Sequence, residues 1–205
     1  MLPLEEGYTS RMRRSAAVLL VAGLVAACGQ RAEPQAQPQQ PPAESEPGGP
    51  EGPSSIPGTT CKATNEGNPA NFPDFTAVDL VSAEGVDRIT FEFEPQANAP
   101  DAPPWHYVSF TDQLITEGEG KPVEVEGEAF LVVSFQAVGH DLSGETPVAV
   151  YEGPERFTPG FDTLQEAVML GDFEGQVSWG LGLARKACYR LDAGADHLTV
   201  ELPAG

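Results

Sequence analysis

Positive charge is what this chain has least of: 11 Lys and Arg stand against 31 Asp and Glu, a formal charge of −20. Nucleic acid is excluded as a partner on that ground, because displacing the counterions of phosphates requires clustered Lys and Arg. The acidity names no partner of its own and reads as a solvated surface. Histidine is scarce too. His106, His140 and His197 show no HxxxH or HxH spacing and no Cys-x-x-Cys accompanies them, so no zinc site is expected. The neighbouring His140-Asp141 pair has no G-x-S-x-G or similar nucleophile motif to act on. Carboxylates are so abundant that two at glycosidase spacing carry no weight. No catalytic residue, metal or cofactor is expected. A long apolar run is also lacking: the uncharged stretch from Ser15 to Ala27 is 13 residues. As a helix it reaches about 20 Å, short of the ~30 Å hydrocarbon core.

That short run has another use. Arg11, Arg13 and Arg14 precede it and small residues end it, which are the parts of a secretory signal. Val25-Ala26-Ala27-Cys28 resembles a lipobox, in which the Cys thiol receives a diacylglycerol and becomes the new N-terminus. Two or more acyl chains anchor stably where one does not. The competing reading is an ordinary cleaved signal with an incidental Cys28. Glu5 and Glu6 do not suit a signal's start, so translation is expected to begin at Met12, and the general secretory route is favoured over twin-arginine export. Residues 1–27 are thus expected to be a lipoprotein signal, with the chain held at the outer face of the cytoplasmic membrane through Cys28.

From Gly29 to Thr60 the sequence is dominated by Pro, Gln, Glu, Gly and Ser, with Ile56 its one large apolar residue. Such a segment cannot bury enough surface to offset its ordering entropy. Residues 28–60 are expected to form a disordered tether, lifting a domain of residues 61–205 off the membrane. Cys61 and Cys188 lie in the exported part, where a pair of cysteines reads as a disulfide. Two buried free thiols are the alternative.

Beyond the tether the pattern has period two. In Arg88-Ile89-Thr90-Phe91-Glu92-Phe93-Glu94 the apolar residues face in and the polar ones out, and His197–Leu202 alternates likewise. Phe130–Phe135 is apolar on both faces, as a central strand covered twice would be. Further strands are expected at Phe75–Val81, Trp105–Phe110, Val148–Tyr151, Glu166–Leu170, Gln176–Gly182 and Cys188–Leu191. Glycine-bearing turns separate them at Glu84-Gly85, Glu117–Gly120, Glu126-Gly127, Gly171–Gly175 and Asp192–Gly194. Only Thr163–Leu170 could pass for a helix. The expected fold is all-β, an antiparallel β-sandwich.

Several blocks carry a family resemblance: Gly85–Phe93, Tyr151–Arg156, Tyr189–Leu191, Leu198–Leu202 and, longest, Gly171-Asp172-Phe173-Glu174-Gly175-Gln176-Val177-Ser178-Trp179-Gly180-Leu181-Gly182-Leu183. Together they resemble the AMIN-like domain of bacterial exported lipoproteins, over about Phe75 to Pro203. The resemblance implies a β-sandwich related to non-catalytic modules that localise their owners to peptidoglycan or to partner proteins. His197 stands where an Arg is common and Glu201 where an Asp is common. No family active site exists to carry over.

Binding candidates come from the residues themselves. Trp105, Tyr107, Tyr151 and Trp179 could stack on sugar rings, or pack in the core. Trp179, at period two with Val177 and Leu181, is the expected core member; Trp105, after Pro103-Pro104, is the expected exposed one. Asp172 and Glu174 sit in a glycine-flanked loop, read either as a tight turn or as an acidic loop shown to a partner. The expected function is a non-enzymatic envelope lipoprotein whose domain binds a cell-wall polymer or an exported protein. A small-ligand carrier with a cavity between sheets is the alternative, and a wall-directed hydrolase ranks below it.

Overall fold

The computed structural model describes residues 56–141 and 144–205. The signal, Cys28 and nearly all of the tether lie outside the described residues. Among the described residues twelve strands are present and no helix: β1 (Thr64–Glu66), β2 (Asp74–Ala83), β3 (Val86–Glu94), β4 (His106–Thr111), β5 (Ala129–Gln136), β6 (His140–Asp141), β7 (Val148–Ala149), β8 (Arg156–Phe157), β9 (Leu164–Phe173), β10 (Gln176–Leu183), β11 (Arg190–Ala193) and β12 (His197–Pro203). They form a six-stranded sheet in the order β1-β4-β5-β10-β9-β8 and a four-stranded sheet in the order β11-β12-β3-β2, with β6 and β7 as a separate pair. Every strand pairing is antiparallel. The two larger sheets pack face to face as a β-sandwich.

Alternation decides which side chains meet between the sheets. Ile89, Phe91 and Phe93 of β3 and Leu198, Val200 and Leu202 of β12 point inward from one sheet. Leu131, Val133 and Phe135 of β5 and Val177, Trp179, Leu181 and Leu183 of β10 answer from the other. Aromatic rings dominate: Phe75 stacks on Tyr151 at a centroid distance of 4.4 Å and meets Phe135 edge-on at 5.4 Å, and Phe91 lies 5.7 Å from Trp179. Trp179 is fully buried beside Val177 and Leu181, as the period-two reading expects.

The expected two-sided burial of the Phe130–Phe135 strand holds in part: Leu131, Val133 and Phe135 are fully buried, while Phe130 and Val132 on the other face are half-buried. Its second face is covered by the segment joining β4 to β5, here termed the strap, residues 112–128. Leu114, Val123 and Val125 of the strap pack on Phe130 and Val132 of β5 and on Val168 and Leu170 of β9. Thr163–Leu170 is strand, not helix: β9 starts at Leu164, and its pairing with β10 absorbs the mixed apolar pattern through a bulge at Leu170. The turn in the Gly171–Gly175 block is narrower than its glycines suggest. Only Glu174 and Gly175, at φ 53° and 76°, make it, and Glu84-Gly85 at 56° and 75° makes its counterpart between β2 and β3. Both are two-residue hairpin loops of the kind that matches strand twist. Strands β1, β6 and β8 are too short to show a period.

Two stitches join the sheets. Cys61 and Cys188 form the disulfide, with Cα atoms 4.5 Å apart and 127 residues between them in sequence. The other stitch is polar. Asp87 of β3 is fully buried, and its carboxylate accepts the Ser82 hydroxyl at 2.7 Å and the backbone N–H groups of Thr163 and Leu164 at 2.7 and 3.0 Å. The Thr163 hydroxyl in turn donates to the Pro203 carbonyl at 2.6 Å. A buried carboxylate is tolerable only with its lone pairs filled in this way. Asp87→Ala leaves two buried N–H donors at the start of β9 unpaired, and should cost about 3 kcal/mol. A urea titration of the full chain, read by Trp fluorescence, checks it. Ser82→Ala, which leaves those donors paired, should cost about 1 kcal/mol or less.

Candidate functional site

Glycines shape the outer face of the six-stranded sheet. On β10 the inward residues are odd-numbered, so Ser178, Gly180 and Gly182 face outward beneath the strap. A Cβ on Gly180 would sit 2.7 Å from Leu114, and one on Gly182 would run into the Glu126 carbonyl. Gly171 of β9, cross-strand partner of Ser178, has the same role: a Cβ there would lie 2.7 Å from the Glu117 Cβ. Bare backbone at these positions lets the strap lie directly on the sheet. Its Glu126 N–H donates to Glu166 Oε2 at 2.6 Å, and Glu166 also pairs with Arg156 of β8.

Where the strap turns away from β4 it leaves an open groove of about 580 Å³. On β4, His106 and Val108 are buried inward while Tyr107, Ser109 and Thr111 alternate outward into this groove. Glu117 closes the opposite side. Its N–H is fixed to the Leu170 carbonyl at 2.9 Å, and its carboxylate accepts from Gln176 Nε2 at 3.1 Å and from the Ser178 hydroxyl. Ser178 has one proton to give, so it accepts at 2.7 Å from Ser134. The register puts Asn65, Tyr107, Ser134, Ser178 and Gly171 in one row across five strands. Trp105 continues the aromatic edge. Its indole N–H donates at 2.7 Å to Asn65, which faces Tyr107, so both rings belong to the outer face.

The five expected binding residues therefore do not converge. Trp105 and Tyr107 share the outer face of the six-stranded sheet. Tyr151 is in the core, 8 % exposed, with its hydroxyl donating to the Pro154 carbonyl at 2.7 Å. Burial, and then the Glu155 charge, push its phenol up to about 12, and no face of the ring is open for a sugar. Asp172 is held at 2.5 Å by His140 at the end of the sandwich, and Glu174 lies exposed at the hairpin tip. His106 is buried, with Nδ1 2.9 Å from the Pro104 carbonyl. Among the described residues no group of three or more His, Cys, Asp or Glu side chains is placed to hold a metal ion. Glu117, Ser134 and Ser178 escaped the sequence reading. The Glu117–Gly120 run signals only a turn, and nothing local tells that it folds back over β10.

A family model for the AMIN-like domain matches residues 73–202. The chain belongs to the AMIN-like domain family. Comparison with curated proteins and with solved structures gives no match. AMIN-like domains are binding modules found in cell-envelope proteins, and membership points to a wall-related binding role. The longest block of this AMIN-like sequence, Gly171–Leu183, now has a physical account: it is the β9–β10 hairpin, its glycines floor the strap, and its Ser178 holds Glu117.

The outer face of the four-stranded sheet carries Glu201 and His197. Glu201 lies between two guanidinium groups, accepting from Arg88 Nε at 2.9 Å and from Arg190 Nε. His197 contacts Asp196 at 2.7 Å. The Arg190 hydrogen bond, with that of Arg88, holds the Glu201 carboxyl below its ordinary 4.5 against the opposing pull of burial. A carboxyl depressed in the folded state adds stability above its unfolded pKa and loses it as pH falls through the folded one. Glu201→Gln should therefore melt lower than the wild type at pH 7, with the gap closing as pH drops below about 4.5. Thermal melts between pH 7 and pH 3 measure this.

Proposed function

We propose that this chain is a cell-envelope lipoprotein, exported by residues 1–27, fixed to the outer face of the cytoplasmic membrane by lipid on Cys28, and carrying on the tether of residues 28–60 a domain of residues 61–205 that binds a cell-wall polymer or an exported protein partner. The match to the AMIN-like domain over residues 73–202 carries the binding part of this reading. The position of Cys28, at the end of a 13-residue uncharged run that follows three arginines, supports the anchor. A disulfide between Cys61 and Cys188 agrees with an oxidising, exported location.

The two rival activities find less support. A carrier with a cavity between the sheets needs space that Phe75, Phe91, Phe135, Tyr151 and Trp179 fill with packed rings. A hydrolase needs a nucleophile within reach of a base. His106 is buried with Nδ1 on the Pro104 carbonyl, and among the described residues no serine or cysteine is hydrogen-bonded to the His140–Asp172 pair.

Two measurements test the reading. Mass spectrometry of the membrane fraction should find Cys28 as a lipidated N-terminal residue, and Cys28→Ser should release the chain from the membrane; a bare Cys28 in a soluble product sinks the anchor. The full chain in detergent should sediment with insoluble peptidoglycan at low salt, or crosslink in intact cells to one exported protein. If neither retention nor a crosslink is found, the binding role has no support.

A further inference from the structure

The groove beside the strap has a chemistry that narrows the ligand. On its floor, β5 is paired on both sides, to β4 and β10, whereas β4 is paired to β5 along its length but to β1 only over His106–Val108. Over His106–Val108 and along β5 no backbone edge is open to an added strand, so there the outward side chains make the contacts. The side chains on offer include the Tyr107 ring, the hydroxyls of Ser109, Thr111 and Thr116, the carboxylate of Glu117 and the exposed apolar Ile115. No Lys or Arg lines the groove, in a chain of charge −20. Arg185 and Lys186 line a neighbouring pocket that shares Phe110 and Thr111 with the groove, so an anionic polymer is disfavoured within the groove itself and not beside it. Hydroxyl donors suit a carboxylate acceptor, and hydroxyl side chains suit a ligand that both donates and accepts. An aromatic face beside them suits an apolar C–H surface. An uncharged pyranose chain has all three properties.

We propose that this groove binds a glycan strand of uncharged or N-acetylated sugars, with Tyr107 as the stacking platform and Glu117 as the hydroxyl acceptor. The inference rests on the wall-binding reading above and adds its site and ligand class. Glu117 is ready-made for the task. The Ser134–Ser178 relay and Gln176 hold its Oε1, and the side-chain-free Gly171 leaves room for its stem. Trp105, next on the same face, extends the aromatic edge past the groove for a neighbouring ring. The volume, about 580 Å³, lies within the roughly 300–1,000 Å³ of ordinary ligand sites and suits a short run of rings with both ends open to solvent.

The test uses the full chain in detergent with two probes: N-acetylglucosamine tetramer, followed by calorimetry, and insoluble peptidoglycan stripped of anionic polymers, followed by sedimentation. The wild type should bind both. Tyr107→Ala should weaken both about tenfold, while Tyr107→Phe, which keeps the ring, stays within about twofold. Glu117→Gln keeps an oxygen acceptor for Ser178 and removes the charge, and should weaken both about fivefold with an unchanged melting temperature. Should peptidoglycan hold all four proteins equally, wall binding stands and the groove assignment falls. Binding that disappears once the anionic polymers are stripped overturns the uncharged ligand. Loss of a protein crosslink, rather than of glycan, in Tyr107→Ala makes the groove a protein site and overturns the proposal. A wild type held by neither probe overturns the proposal, and wall binding with it.

Discussion

A strand whose two faces must both be buried, in a sandwich that has only two principal sheets, is the constraint on which the rest depends. β10 is that strand. Its inner face is Val177, Trp179, Leu181 and Leu183, and its outer face has almost no side chains at all. The four-stranded sheet covers the first, and the strap covers the second. Because Gly180 and Gly182 bring the strap onto the backbone, Leu114, Val123 and Val125 reach Val168, Leu170, Phe130 and Val132 and seal a second small core. Close packing of that kind is rigid. It fixes the line along which the strap leaves the sheet, and that line is the wall of the groove.

The polar contacts follow from the same geometry. A sandwich of twisted sheets leaves its corners open, and backbone donors at the first residues of a strand have no ladder partner there. Asp87 closes one corner by accepting two such donors from the start of β9, and Thr163 passes the link on to the end of β12. At the outer face Glu117 does a comparable job with opposite exposure. It is held by Ser178 and Gln176 but remains half-buried at the edge of open space. The first carboxylate has spent its acceptor capacity within the fold. The second keeps some of it for solvent or ligand.

This division explains what could be read from the sequence. Alternation in Arg88–Glu94 marked a strand with one wet face, as the structure has it; in His197–Leu202 it marked which side chains face the core, but Thr199 and Glu201 on the other face are buried too, and the run Phe130–Phe135 keeps Phe130 and Val132 half-buried under the strap. Asp87 was within reach of the same logic, since it has the parity of Ile89, Phe91 and Phe93 and so must face inward. Tyr151 was not. Its strand β7 ends at Ala149, and its burial against Phe75 depends on a contact between residues 76 positions apart. Glu117 was equally hidden, because Glu117-Gly118-Glu119-Gly120 reads as solvent-exposed turn until β10 is known to be glycine-surfaced. Trp105 and Tyr107 were found for a local reason, as aromatic rings beside Pro103-Pro104; Trp105 stands one residue before β4, and extended residues at i and i+2 share a face.

Their placement still depends on a long-range bond. The outer edge of the six-stranded sheet is β1, three residues long, and a strand of that length has little to hold it. It is kept by what precedes it. Thr60 and Tyr189 exchange backbone hydrogen bonds at 2.7 and 2.9 Å, the Tyr189 hydroxyl donates to the Lys62 carbonyl at 2.7 Å, and the Cys61–Cys188 disulfide lies inside that frame. Tyr189 is itself fully buried and also reaches the Val108 carbonyl of β4 at 3.0 Å. The segment entering the sandwich is thus pinned to both sheets before it pairs with β4. Asn65 then holds the Trp105 indole on the outer face. A covalent link spanning 127 residues, formed only under oxidising conditions, is in this way part of what aims the aromatic edge of the groove.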